Sequence, residues 1–478
     1  MYHISFFLNG QLINTNVSPK LTALFFLRNF GLTGTKEGCS EGDCGACTIV
    51  IGENKNNKVI YQAVNSCLMP AVRMHGKHIV TVEGIGNPEK LHPLQKAILD
   101  YHGVQCGYCT PGIIMSLFAL FLNDRTPSQK EIYDALEGNL CRCTGFESIR
   151  KAALNLSKQK NKIVPNYFTK VNQQLLKFNQ KIEFIPDLEN NSQQYLIPKN
   201  LNELFDILES PTNRDAKIIS GGTDVMVDVN IKKHKFNTTI DTSQIQKLDF
   251  IKEKDTAVLI GADTTFSDII LNKIIRKRLP LLYSAISQLG SKQIRNVGTL
   301  VGNIANASPI ADAATALMAL DATLILKSKN DERRVPIADF YKGYKITCLK
   351  PNEIIFSIEI PLKESVTSFE KTGKRKSVDI ASVNSAISLQ MNQDIISNIT
   401  IAFGGVAPYP VIAQKTANFL KGKEITSAII EQASLITASE VKPISDLRGS
   451  AQFRRLLVRN HIIKHFVKLF PKNLYNHE

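Results

Sequence analysis

The chain opens on two β-type runs, Ile4–Leu8 and Gln11–Val17, either side of Asn9-Gly10. That dipeptide suits a two-residue hairpin, whose central residues both need positive φ. A helical repeat follows over Leu21–Phe30, with Ser18-Pro19 ahead of it and Gly31 as a stop signal. Further β-type runs at Thr48–Ile51, Val59–Ala63 and Ile79–Val82 complete a small α+β unit over residues 1–86. The period then changes. Leu94–Tyr101, Pro111–Leu122 and Pro127–Glu137 read as helices of a helical domain over 87–158. The last opens on Thr126-Pro127, carries Gln129 at the capping-box position and stops at Gly138.

Residues 159–194 are rich in Lys, Asn and Gln with little sustained period, which predicts a long tether. From Tyr195 to Ser365, β-type runs alternate with helices at Leu201–Leu208, Phe266–Asn272, Leu281–Leu289 and Ala311–Ala319. After that comes a last unit, 366–478, with strands at Ser382–Met391 and Ile396–Phe403 and helices at Thr426–Glu440 and Gln452–Phe466. The fold class is α+β and multidomain, and no internal repeat is visible.

Composition narrows the function classes. The chain has 478 residues, 43% of them hydrophobic, and a mean hydropathy of −0.08, so it can build sizeable cores. Its longest apolar run, Gly112–Leu122, has 11 residues, whereas a bilayer helix needs about 20. The start, MYHISFFLNGQ, lacks a basic leader segment. The expectation is a soluble, cytoplasmic protein with no membrane contact. A net charge of +15 raises the question of nucleic acid, but the basic residues are scattered and there is no Trp. No aromatic-interleaved basic stripe offers a stacking platform. A dianionic cofactor and an acidic partner surface are better outlets for the charge.

Cysteine changes the picture most. Nine are present, and eight fall in the first 143 residues as two groups of four. An odd count argues against a disulfide framework. Cys39-x4-Cys44-x2-Cys47, with Cys67 after 19 more residues, has the spacing of plant-type [2Fe–2S] ferredoxins. Gly38, Gly42 and Gly45 would let one loop turn three thiolates inward. Structural zinc is the alternative, though it more often draws on two separate C-x2-C pairs. Cys106-x2-Cys109 followed by Cys141-x-Cys143 is ambiguous by itself, since a four-thiolate zinc site uses similar pieces. A neighbouring ferredoxin-like group, together with Gly107 and Gly145, favours a second cluster. Cys348 stands alone and reads as a small buried hydrophobe.

Two glycine-rich stretches lie downstream. Ile218-Ile219-Ser220-Gly221-Gly222-Thr223-Asp224 runs from an apolar strand into a turn that could expose successive N–H groups to a diphosphate. Asn296-Val297-Gly298-Thr299-Leu300-Val301-Gly302-Asn303 leads to Ala307-Ser308-Pro309-Ile310-Ala311-Asp312. Neither is G-x-G-x-x-G, so a Rossmann fold is unsupported, and by spacing alone both are only tight turns.

Together, CysSerGluGlyAspCysGlyAlaCys at 39–47, GlnCysGlyTyrCysThrProGly at 105–112 and CysArgCysThrGly at 141–145 closely resemble the molybdenum hydroxylases, which include xanthine dehydrogenase and aldehyde oxidase. LeuThrGlyThrLysGluGly at 32–38 is similar to the small subunit of the bacterial xanthine dehydrogenases. The resemblance implies a β-grasp ferredoxin-like domain, a helical-bundle [2Fe–2S] domain, a two-subdomain FAD-binding domain and a small flavoprotein C-terminal domain like that of CO dehydrogenase. It implies that Ile218–Val225 wrap the FAD diphosphate. It also implies that Thr299, Leu300, Val301, Gly302, Asn303 and Asp312 contact phosphate, ribose or the flavin edge. Ile355, within Pro351–Pro361, and Lys371 match further flavin contacts, and Tyr344 resembles an aromatic that stacks near nicotinamide. Leu289 stands where vertebrate members carry an aromatic beside the flavin. The basic stretch Lys371–Asp379 reads equally as a solvated loop or as a flavin neighbour, and the segment around Ser445–Ser450 as structural.

Nothing resembles a molybdopterin-binding domain, so no residue of this chain is expected to be catalytic. The resemblance implies a molybdopterin-bearing large subunit as partner, in a heterodimer or a pair of heterodimers. That partner would oxidise hypoxanthine and xanthine to urate. Electrons would pass through the cluster at Cys106, Cys109, Cys141 and Cys143, then through that at Cys39, Cys44, Cys47 and Cys67, to FAD and on to NAD as hydride. The same role beside a hydroxylase for an aldehyde or N-heterocycle is one alternative. A zinc-stabilised nucleotide-binding scaffold is another.

Overall fold

The computed structural model describes residues 1–123, 126–159, 164–185 and 193–475. The chain forms two compact units. The first comprises Met1–Tyr195, Gly222–Thr239 and Gly290–Val297, and the second comprises Leu196–Gly221, Ile240–Leu289 and Gly298–Glu478.

In the first unit, Tyr2–Leu8 and Gln11–Val17 pair antiparallel across Asn9 and Gly10, whose φ angles of 49° and 92° are those the turn demands. The sheet continues from Tyr2–Leu8 to His78–Val80 in parallel, then antiparallel to Thr48–Lys55 and Lys58–Asn65. The first helix is Ala23–Asn29, and the Thr22 hydroxyl caps it. Its start is therefore Thr22, since Ser18-Pro19 lies a turn too early. Four helices follow, Pro93–Asp100, Thr110–Asn123, Gln129–Leu136 and Glu147–Ser157. The capping box of the third differs from the Thr126/Gln129 expectation. Ser128 Oγ accepts from Glu131 N at 3.3 Å while Glu131 Oε2 accepts from Ser128 N at 2.8 Å. The periodicity reading passes over Glu147–Ser157, although Ile149, Ala152, Ala153 and Leu156 carry the helical spacing and are buried.

The tether expected over 159–194 is largely corrected. Phe168–Leu176 is a helix that buries Phe168, Val171 and Leu175. The Phe168 ring lies 4.9 Å from Tyr61 and 5.0 Å from His78, and Tyr61 donates to Asn172 at 2.6 Å. Three buried apolar residues suffice because they all fall on one face, while Leu176 beside them is exposed. Glu183–Phe184 then pairs with Tyr2 and His3. The remaining parts of the expected tether, 160–163 and 186–192, lie outside the described residues. Val50, Tyr61, Ala63 and Val80 share one core with Leu94, Phe118 and Ile149, so the expected boundary at 86/87 does not divide a core.

The two larger sheets of the second unit are antiparallel. One orders Ile251–Glu253, Ala257–Gly261, Ile354–Pro361, Thr323–Lys327 and Glu332–Pro336, with the buried helix Asp312–Ala319 in its core. The other orders Val366–Thr372, Val383–Asn392, Ile395–Gly404 and Val411–Ile412. Ser427–Glu440 and Ala451–Leu469 belong to the same core, which contains Phe403, Val458 and Phe466. The expected helix Phe266–Asn272 ends at Leu271. The Asn272 side chain caps a second helix, Lys273–Arg278, by accepting from Ile274 and Ile275 N–H. Residues 222–239 and 290–297, expected inside a flavin domain at 195–365, fold with the first unit.

Candidate cluster and flavin sites

The Cys39–Cys47 loop needs its glycines. Gly42 and Gly45 have φ of +87° and +67°, and a Cβ on Gly38 would stand 2.7 Å from Cys44 Sγ. Ser40 is also left-handed, at φ 57°. This contortion turns backbone N–H groups onto sulfur. Cys44 N and Glu41 N lie 3.3 and 3.5 Å from Cys39 Sγ, and Cys39 N lies 3.4 Å from Cys44 Sγ. Cys47 and Cys67 place their sulfurs 3.3 Å apart, both buried. Within each pair one thiol hydrogen-bonds the other. The bond from Cys44 pulls Cys39 down to about 5, while the bonds to their partners, and then burial, push Cys44 and Cys67 up. A metal bound by these four sulfurs would displace the thiol protons.

The second group repeats the pairing. Cys106 and Cys143 sulfurs are 3.6 Å apart, and Cys109 shares a hydrogen bond with Cys141. Burial, then that bond, pushes Cys109 up to about 12. Burial works against Cys141 too, but the Thr144 hydroxyl, 3.1 Å from its sulfur, holds it below its ordinary value. Among the described residues, no three His, Cys, Asp or Glu side chains converge on one point as a single-ion site requires. Sulfurs arriving two and two suit a pair of irons with two thiolates each.

Backbone joins the two groups. Leu140 N donates to Cys44 O at 2.9 Å, and Asn139 Nδ2 donates to Gly45 O at 3.0 Å. The Tyr108 hydroxyl donates to the Glu37 carbonyl. A Cβ on Gly112 would meet Gly45 O at 2.1 Å, and one on Gly45 would meet Gly138 O at 2.1 Å, so Gly45 and Gly112 must be glycine. Asn139 is held from behind. Its Oδ1 accepts from Ser116 Oγ at 2.6 Å and from Gln293 Nε2 at 3.2 Å. Sequence reading misses Ser116, Asn139 and Gln293, because Ser116 and Gln293 stand 177 positions apart and no local pattern links them. Gly138 reads there only as a helix stop.

In the second unit, Ser220 Oγ donates to Thr299 Oγ1 at 3.2 Å, which brings the two glycine stretches together. Thr299 caps the helix Leu300–Ala305 through Gly302 N at 3.1 Å. Gly222 takes φ +79°, as a turn of this kind needs. Asn303 Oδ1 is buried with no hydrogen-bond partner among the described residues, so it can still accept from a ligand. Ile219, Leu300, Val301 and Ile355 bury their side chains in the core, so only backbone remains for them to offer a ligand. Asp312 and Lys371 form an internal ion pair at 2.6 Å, and Asn384 Nδ2 donates to the other Asp312 oxygen at 2.6 Å. Burial raises the Asp312 carboxyl, with Lys371 opposing. Leu289 is partly buried against the core, as is Cys348. Tyr344 is 63% exposed in the turn between Tyr341–Gly343 and Ile346–Thr347. Thr223 and Asp224 lead into the helix Val225–Asn230, which folds with the first unit. Lys374, Arg375 and Lys376 are exposed, and Asp379 ties their loop by accepting from Arg375 N at 2.9 Å.

Four family models match in order along the chain. They are a 2Fe-2S iron-sulfur cluster binding domain at residues 6–72, a [2Fe-2S] binding domain at 81–154, the FAD binding domain in molybdopterin dehydrogenase at 190–363 and the CO dehydrogenase flavoprotein C-terminal domain at 368–469. Xanthine dehydrogenase of Emericella nidulans is 34% identical over 88% of this chain and 35% of its own length. Xanthine dehydrogenase/oxidase of Rattus norvegicus is 31% identical over 98% of this chain and 39% of its own length. The chain thus spans well under half of these curated relatives. Among solved structures, carbon monoxide dehydrogenase from Hydrogenophaga pseudoflava matches 58% of the chain and 97% of its own, with 29% identity and a TM-score of 0.56. Quinoline 2-oxidoreductase from Pseudomonas putida 86 matches 58% and 96%, with 26% identity and a TM-score of 0.55. With two cluster-binding models, a flavin model and a flavoprotein C-terminal model in succession, the chain belongs to the molybdenum hydroxylase family, as an iron–sulfur/FAD electron-transfer chain that carries two [2Fe–2S] clusters and FAD.

Proposed function

We propose that this chain conveys electrons from a molybdopterin-bearing partner that oxidises xanthine and hypoxanthine, and delivers them to NAD. When bound, the clusters supply single-electron steps and the flavin converts between one- and two-electron steps. Cys106, Cys109, Cys141 and Cys143 hold the cluster nearer the partner, and Cys39, Cys44, Cys47 and Cys67 hold the other. Backbone of Ile218–Val225 and Thr299–Asn303 cradles the dinucleotide, with Asn303 Oδ1 as an acceptor toward it. Lys371 and Asp312 act by positioning, because each neutralises the other in the protein interior. The observation that carries the reading is the direct hydrogen bond from the Cys141 turn to the Cys44 carbonyl, which leaves no intervening layer between the two thiolate sets. The relatives named xanthine dehydrogenase favour the purine substrate. The solved carbon monoxide and quinoline enzymes support the second reading, the same role beside a different hydroxylase.

Iron, acid-labile sulfide and flavin per chain, with visible spectra before and after anaerobic NADH, test this. About four irons, four sulfides and one flavin, all bleached by NADH, are expected. Correct cofactors that NADH leaves oxidised would overturn NAD as acceptor, and zinc in place of iron would overturn the whole reading. Xanthine-dependent bleaching in the presence of the partner separates the two substrate readings.

A further inference from the structure

The four cysteines of the ferredoxin-type group come from two places. Cys39, Cys44 and Cys47 share one loop, while Cys67 arrives from the turn Ser66–Leu68. The ladder pair Thr48–Asn65 and the Ser66 hydroxyl, which donates to Cys47 O at 2.7 Å, hold Cys67 beside Cys47, and a further contact reaches the Cys39–Cys44 part of the loop. The Asn230 side chain makes it. Its Nδ2 donates to Ser40 O at 3.0 Å and to Cys67 O at 2.8 Å, spending both amide hydrogens on the two halves of the ligand set. Ser40 is a left-handed non-glycine residue between Cys39 and Cys44. Asn230 ends the helix Val225–Asn230, which follows the Gly-Gly turn after Thr223 and Asp224. A second downstream segment closes on the same loop, since a Cβ on Gly42 would stand 2.8 Å from Ile294 Cδ1.

We propose that Asn230 is a positioning residue of the ferredoxin-type cluster, holding the Cys39–Cys47 loop against Cys67 and setting the potential of that cluster. The proposal rests on the ligand reading given above. The amide presents the positive end of its dipole beside two cluster-ligand segments, and so stabilises the more negative reduced state. Removing it lowers the potential, and replacing it with a carboxylate lowers it further, because a negative charge then stands at the same place. A purely structural contact would not impose that order.

The test uses the holoprotein with Asn230→Ala and the near-isosteric Asn230→Asp, read by electron paramagnetic resonance and redox titration of both clusters. The expected result is a downward shift of the ferredoxin-type cluster in the order wild type, Ala, Asp. Its g values should change, while the second cluster and the flavin content stay unmoved. Selective loss of two irons in Asn230→Ala would also support the clamp, and Asn230→Asp would then supply the order relative to wild type. Both clusters unshifted in fully loaded variants would overturn the proposal alone. A wild-type chain without a ferredoxin-type signal would overturn the ligand reading, and this proposal with it.

Discussion

Cys44 and Cys39 exchange backbone N–H···S contacts, each amide lying against the other's sulfur. Cys44→Ser should halve the iron, from about four to about two per chain, with flavin retained. Iron analysis beside flavin absorbance checks this, and unchanged iron would refute the ligand assignment. Lys371 and Asp312 form a pair whose side chains are 10% and 7% exposed. Lys371→Met strands a buried carboxylate at a cost of about 3–5 kcal/mol. The Asp312 value is already raised by burial, and the stranded carboxyl rises further. A raised acid contributes stability at low pH and loses it as pH rises through its folded value. The deficit of the variant should therefore narrow as pH falls, as denaturant midpoints at pH 5 and pH 8 would show. The grouping of the cysteines is legible in sequence because their spacing is a local property. The Lys371 pairing is not, since its partner lies 59 positions away.

At the scale of elements, glycine carries the design. Gly112 lies within the helix Thr110–Asn123 and touches the other cluster loop. Gly112→Ala therefore forces the Cys109 helix off the Cys39–Cys47 loop, an overpacking cost of about 1–3 kcal/mol. Iron should fall in both clusters. Gly145, at φ +65° with nothing within 4 Å, is a different case. Gly145→Ala should cost only the left-handed penalty of about 1 kcal/mol and keep both clusters. Thermal midpoints and iron content of the two variants would separate close approach from backbone freedom, two roles that a glycine in sequence does not distinguish. Element existence is well marked where signals are strong, as at the Asn9-Gly10 hairpin. It is hidden at Phe168–Leu176, where three apolar residues decide the helix and only a partner surface gives them a reason to be buried.

For the whole molecule, buried histidines set the acid limit. In the second unit, His461 Nε2 lies 2.8 Å from Thr372 Oγ1 and its Nδ1 2.8 Å from Ser385 Oγ, which also meets His465 Nε2 at 2.8 Å. Burial pushes His461 down to about 4, against the pull of Glu370, and in the first unit burial pushes His78 down to about 3. The unfolded chain therefore takes up protons before the folded one does. Stability is lost as pH falls from about 6.5 toward those values. Calorimetry should show the thermal midpoint declining below pH 6.5, with a shallower slope in His461→Asn. Among the described residues, no helix is long and apolar enough to cross a membrane. The sequence by itself determined the two cysteine groups, the order of domains and the glycine turns, because these depend on residue type at short spacing. Only tertiary structure decided that residues 222–239 and 290–297 fold with the cluster unit, that Asn139 and Asn230 brace its loops, and that Lys371 is neutralised by Asp312. Each depends on a hydrogen bond or close approach between residues remote in the chain, and such contacts leave no periodic trace in sequence.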